Sequence, residues 1–182
     1  MDDRETVRAL FDALATHQVP YLLVGGVALL SYVDGRNTED IDLIVDEADL
    51  GKLEWTILDR DENFARASYR GLRVDLLLTS NALFAEVRAR EATTTSFGER
   101  TVHCATREGM LLLKLYALPS LYRQGKLARA ALYETDVLML HQGADVDDER
   151  LIARLAAHLP ATDLAELRAI LAEQRARRRF TK

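Results

Sequence analysis

The chain has 182 residues, 48% apolar and 29% charged, with a formal net charge of −5 and one cysteine, Cys104. That length favours one domain, or one domain with a helical appendage, and is enough to bury a core without covalent staples. A lone cysteine excludes an intrachain disulfide and a cysteine-based zinc site, which fits a reducing cytoplasm. The acidic balance argues against broad electrostatic binding of nucleic acid. No leader-like segment opens the chain, and the strongest apolar stretch, residues 110–118, is too short for a bilayer and contains Lys114. No membrane partner is expected.

Val7, Leu10, Phe11 and Leu14 form a helical stripe over residues 5–17. Tyr21-Leu22-Leu23-Val24 reads as a buried strand, closed by a turn at Gly25-Gly26. A short helix over 27–33 and a loop over 34–37 follow. Residues 39–45 form a strand whose Asp40 and Asp42 share one side, because strand side chains alternate. Residues 48–60 are expected as a helix, with Leu50, Leu53, Ile57 and Leu58 turned inward. Residues 64–69 and 72–79 pair as a hairpin about Arg70-Gly71. Ser80 or Asn81 caps a helix to about Glu91, and a second hairpin turns at Phe97-Gly98-Glu99-Arg100. Beyond residue 106 the pattern is helical: 107–118, 125–142, 147–159 and 162–178, punctuated by Pro119, Gly143 and Pro160. The expected fold is α+β, a mixed twisted sheet flanked by helices and followed by a C-terminal helical bundle. The expected domains are 1–106, an αβ domain, and 107–182, a helical region packed on it.

Three acids stand out. Asp40 and Asp42 lie side by side on one strand, and Asp75 interrupts the apolar run 72–78 on the face away from Leu72, Val74, Leu76 and Leu78. Adjacent carboxylates repel, and burial penalises their charge. A divalent cation removes both costs, and oxygen-only donors on strands suit Mg²⁺, or Mn²⁺ in its place. Two bland alternatives stay open. Asp40 and Asp42 could mark an exposed strand end, and Asp75 could pair with Arg73 or Arg36. Gly25-Gly26 allows close approach of an anion but lacks P-loop or dinucleotide spacing. Arg36 and Thr38 could touch a triphosphate or be solvated. Tyr116, Tyr122 and Tyr133 could stack on a base or pack in a core. The four histidines show no ligand spacing.

Val24-Gly25-Gly26-Val27-Ala28, followed by Thr38-Glu39-Asp40-Ile41-Asp42-Leu43-Ile44-Val45 and the later Asp75, resembles the signature of the polymerase-β-like nucleotidyltransferase superfamily. The match covers roughly residues 20–80. The resemblance implies transfer of a nucleoside monophosphate from a nucleoside triphosphate to an acceptor hydroxyl, with release of pyrophosphate. It assigns the metals to Asp40, Asp42 and Asp75, and the triphosphate to Gly25 and Gly26, with Arg36 and Thr38 as candidate contacts from their place in the loop preceding the acids. The helical half, with Lys114 in an apolar helix, Arg123, Lys126 and Arg129, and then Asp136-Val137-Leu138-Met139-Leu140, resembles the nucleotidyltransferase toxins of type IV abortive-infection systems. That likeness implies nucleotide contact through Lys114, with Asp136 completing the site or orienting the lysine. Leu132-Tyr133 departs from the Lys/Arg-Asp pair often found there. Lys114 could equally carry its amine to the surface.

The toxin likeness points to RNA, such as a tRNA 3′ end, as acceptor and to a cognate antitoxin as partner. A protein hydroxyl or an aminoglycoside is also chemically open. Two other roles remain: an antitoxin that adenylylates a protein partner, and a non-catalytic binding protein. The terminal run 175–182, with five Arg/Lys residues, reads as a solvated helix end or as a phosphate-backbone contact.

Overall fold

A computed structural model describes residues 3–33 and 40–179, with side chains from residue 5 to residue 177. The chain divides into two compact units, 1–109 and 110–182.

The first unit opens with α1 (Asp3–Thr16), whose Val7, Leu10, Phe11 and Leu14 are all buried. Burial of each such side chain is worth roughly 1.5–3 kcal/mol. β1 (Tyr21–Val24) and α2 (Gly25–Leu29) follow; the helix starts at the glycines themselves, two residues before the expected start at Val27. β2 (Ile41–Val45) buries Ile41, Leu43, Ile44 and Val45. Asp40 immediately precedes this strand.

The helix expected over 48–60 does not form. Its place is taken by a 3₁₀ helix (Glu47–Lys52) and then β3 (Thr56–Arg60). Asp46 caps the 3₁₀ turn by accepting from the Ala48 N–H, and Trp55 Nε1 donates to the Leu50 carbonyl across 2.7 Å. Leu50 and Leu53 are buried as expected, but Ile57 and Leu58 are 39% and 60% exposed. β3 wins because it lies at the sheet edge and gains a ladder with β4 (Phe64–Tyr69). A helix there would have left those backbone groups of β4 without a partner on that side.

β4 and β5 (Leu72–Leu78) pair antiparallel, Tyr69 opposite Leu72. Arg70 and Gly71 both have positive φ (51° and 89°), as a two-residue type I′ turn requires. α3 (Ala82–Arg90) is capped by Asn81, which accepts from the Leu83 and Phe84 N–H groups. β6 (Ala92–Phe97) and β7 (Arg100–Ala105) form the second hairpin.

Among the described residues these strands make one seven-stranded sheet in the order β3-β4-β5-β2-β1-β7-β6. β2 runs parallel to β5, and β1 parallel to β7; the other neighbours are antiparallel. β1 and β2, in the middle of the sheet, are near-continuous apolar runs of the sequence. Cys104, in β7 opposite Leu23 of β1, is fully buried, and burial pushes its thiol pKa up.

α4 (Arg107–Arg123) contains the boundary between the units. It also contains Pro119, which was expected to end it. The missing N–H removes one intrahelical bond, to the Leu115 carbonyl, without stopping the helix. The second unit continues with α5 (Leu127–His141), α6 (Asp148–Leu155) and α7 (Ala161–Arg179). Asp147 caps α6 by accepting from the Glu149 and Arg150 N–H groups. Leu115, Val137, Leu140, Leu155 and Leu167 are fully buried. None of the described helices is long and apolar enough to cross a membrane.

Candidate active site

The sheet order places β5 directly beside β2, and their parallel register sets Asp42 opposite Asp75. Neighbouring strands lie about 4.8 Å apart, and residues in register project to the same face. Asp42 and Asp75 therefore stand side by side. Both are intermediate in exposure, while the alternate residues Val74, Leu76 and Leu78 of β5 are buried on the other face.

β1 flanks β2 on its other side, with Val24 opposite Asp42. The next residue, Gly25, has φ of +68°, and a Cβ there would lie 1.9 Å from Asp42 Oδ2 and 2.6 Å from its Cβ. Glycine is thus required twice: for the left-handed backbone, and for the space that the Asp42 side chain fills. This is a tighter role than a generic strand–helix turn.

Two arginines close on the acids. Arg73 Nη2 lies 3.0 Å from Asp75 Oδ2, its Nε 3.4 Å from Asp75 Oδ1, and its Nη1 3.5 Å from Asp40 Oδ2. Arg66 Nε is 3.4 Å from Asp75 Oδ1. The hydrogen bonds that Arg73 donates to Asp75, then the charges of Asp75, Asp40 and Asp42, hold the Arg73 pKa above its ordinary value against the opposing effect of desolvation. The pairing of Asp75 with Arg73 that the sequence left open is present. Arg66 was missed, although the hairpin register gives it: a two-residue turn at 70–71 sets residue 66 opposite residue 75.

The other expected site residues fall in two groups. Arg36 and Thr38 lie outside the described residues. Lys114 and Asp136 meet within the helical unit, with Nζ 3.0 Å from Oδ2 and side chains 8% and 0% exposed. The ammonium also sits 3.8 Å from the centre of the Tyr133 ring, a cation–π contact. Lys114 does not carry its amine to the surface.

The donor set fits a hard divalent cation in kind. Every candidate ligand is a carboxylate oxygen, two of them are held in register by adjacent strands, and a cation already bridges Asp40 and Asp75 in the form of the Arg73 guanidinium. Among the described residues, no group of three or more His, Cys, Asp or Glu side chains is placed, as the side chains stand, to hold a metal ion.

The mixed sheet flanked by helices, with a helical C-terminal region, is the nucleotidyltransferase fold. The chain is similar in structure to the antibiotic-resistance factor ANT(2″)-Ia in solution, over 98% of this chain and 95% of that one, at 16% identity and a TM-score of 0.54. It is similar to ANT(2″)-Ia in the crystal with adenylyl-2″-tobramycin, over 96% and 97%, at 13% identity and a TM-score of 0.58. It also resembles an antigenic nucleotidyltransferase-like protein from Paracoccidioides brasiliensis, over 96% and 88%, at 16% identity and a TM-score of 0.59. At these identities the likeness is one of fold. No protein-family model and no curated protein matches the sequence.

Proposed function

We propose that the protein is a Mg²⁺-dependent nucleotidyltransferase that moves a nucleoside monophosphate from a nucleoside triphosphate to an acceptor hydroxyl. The observation that carries this reading is the in-register pair Asp42 and Asp75, with Asp40 joined to the same guanidinium. Like charges brought together on two adjacent strands are costly unless a cation is part of the design.

Asp40, Asp42 and Asp75 would hold the divalent ion. When bound, it neutralises charge at the entering and leaving oxygens of the transfer. Gly25 fixes the position of the Asp42 carboxylate, and with Gly26 it keeps the backbone bare for the triphosphate. Asp75 would also assist removal of the proton of the acceptor hydroxyl. Lys114, buried against Asp136 and Tyr133 within the helical unit, is given no part in the transfer.

For the acceptor we favour a small polyhydroxylated cation of the aminoglycoside class. The net charge of −5 attracts such a molecule and repels a polyphosphate backbone. The nucleotidyltransferase ANT(2″)-Ia, solved with adenylyl-2″-tobramycin, supports the same choice. The second reading is an RNA 3′ end as acceptor and a toxin role beside a cognate antitoxin. It rests on the sequence likeness of residues 111–140 and on the basic run from Arg175.

Incubation with each labelled triphosphate, Mg²⁺ and either tobramycin or total RNA separates the two. The expected product is a labelled small molecule, formed by the wild type and lost in Asp42→Asn. Label on RNA alone would move the assignment to the second reading. No transfer to either acceptor, or to protein, with any triphosphate would remove the enzymatic one.

A further inference from the structure

Arg73 stands two residues before Asp75 on β5, so both side chains project from one sheet face. Its guanidinium reaches Asp75 through two nitrogens, at 3.0 and 3.4 Å, and Asp40 through the third, at 3.5 Å. The planar fork of an arginine can span two carboxylates in this way; the compact ammonium of a lysine is a single point. The side chain is 47% exposed, so it can leave without opening the core. Arg66 reaches Asp75 through its Nε, at 3.4 Å from Oδ1.

We propose that Arg73 is an internal counter-ion latch: it occupies the Asp40–Asp75 carboxylates until a divalent cation displaces it, and so sets the metal affinity of the site. The inference rests on the reading of these acids as metal ligands. Its physical basis is competition for the same oxygens. The cluster needs a positive charge to offset carboxylate repulsion, and Arg73 supplies one. A divalent ion supplies two charges and direct coordination, so it can take those oxygens, but its net affinity is lowered by the contacts it must break. The latch thereby disfavours a cation that arrives without the further ligands a nucleotide brings.

The test is Mn²⁺ binding to the nucleotide-free, full-length protein, followed by electron paramagnetic resonance. The proteins compared are wild type, Arg73→Gln, Arg73→Lys, Arg66→Gln and Asp42→Asn. Arg73→Gln should tighten Mn²⁺ binding by about tenfold or more, the scale of a hydrogen bond to a charged group. Arg73→Lys, which keeps the charge and loses the bridge, should tighten it by roughly threefold, and Arg66→Gln should do less than Arg73→Gln. In the wild type, the Arg73 Nε–H resonance should shift on titration with Mg²⁺.

Arg73→Gln binding no tighter than wild type overturns the latch. So does a result in which Arg73→Lys equals wild type while Arg73→Gln and Arg66→Gln tighten equally, since net charge alone then explains the data. An Arg73 Nε–H unmoved at saturating Mg²⁺ also overturns it. In each of these cases, loss of binding in Asp42→Asn leaves the metal site standing while the latch falls. Absence of Mn²⁺ binding in every variant removes both.

Discussion

The two units each hold charged side chains against apolar surroundings, and they settle those charges differently. In the αβ unit, Asp40 and Asp75 share a guanidinium that is half exposed and held at 3.0–3.5 Å. In the helical unit, Lys114 is sealed against Asp136. His141 is sealed there too, its Nδ1 2.7 Å from the Val137 carbonyl and its Nε2 2.7 Å from Asp148 Oδ1. Arg175 completes that second cluster at 2.6 Å from Asp148 Oδ2. The His141 ring is thus held at both nitrogens, by a backbone carbonyl and by a carboxylate. An exposed, multiply shared counter-ion can be exchanged for a ligand. A buried one is a fixture, because removing either partner strands the other. The contrast separates a place for chemistry from a place for architecture.

The sharpest way to break this distinction is Asp42→Asn. It should lower transfer by about 3–6 kcal/mol in barrier, at about 1.4 kcal/mol per tenfold, while thermal stability stays level or rises as carboxylate repulsion is relieved. A folded, fully active variant would place the chemistry elsewhere. Asp136→Ala should do the reverse, leaving the Lys114 ammonium buried without its carboxylate and costing about 3–5 kcal/mol of stability. Chemical denaturation reads it, and an unchanged midpoint would contradict the fixture reading.

Gly25→Ala should join both effects. The left-handed backbone costs roughly 1–2 kcal/mol for alanine, and the clash with Asp42 adds about 1–3 kcal/mol. Melting temperature and turnover should fall together. Asp148→Asn should cost about 2 kcal/mol, the loss of hydrogen bonds to charged groups. Burial alone would raise the Asp148 pKa, but the bonds and charges of Arg175 and His141 outweigh it and hold it below the ordinary 3.8. A depressed carboxylate stabilises the fold at pH values above 3.8 and loses that contribution as pH falls through its lower folded value. Wild type and Asp148→Asn should therefore converge in stability below pH 3.8, and a constant gap down to strong acid would reject the assignment.

Much of the αβ architecture was legible because its strands are apolar runs with sharp ends. Tyr21–Val24 stops at glycine, and the 72–78 run alternates around Asp75. The pair Asp42 and Asp75 was readable for the same reason, since an acid inside a buried-strand pattern has few bland explanations. Residues 48–60 were misread because Leu50, Leu53, Ile57 and Leu58 carry helical spacing, whereas the deciding contact, the ladder to β4, is not local. Pro119 misled by the opposite route: a local rule for ending helices yielded to packing of the apolar α4. The sealing of Lys114 depended on Asp136 and Tyr133, about twenty residues away on the next helix, which spacing within one helix cannot reveal.

Cys104 offers a built-in clock. Its thiol lies fully buried on β7 beside β1, and it is the sole sulfhydryl of the chain. An aromatic disulfide reagent can reach it when the sheet opens around it. The labelling rate, measured against that of an unfolded control, therefore reports how often that opening occurs under native conditions. Because β1 also leads into Gly25 beside Asp42, slower labelling in the presence of Mg²⁺ and a triphosphate would register ligand binding at the carboxylates without any knowledge of the acceptor.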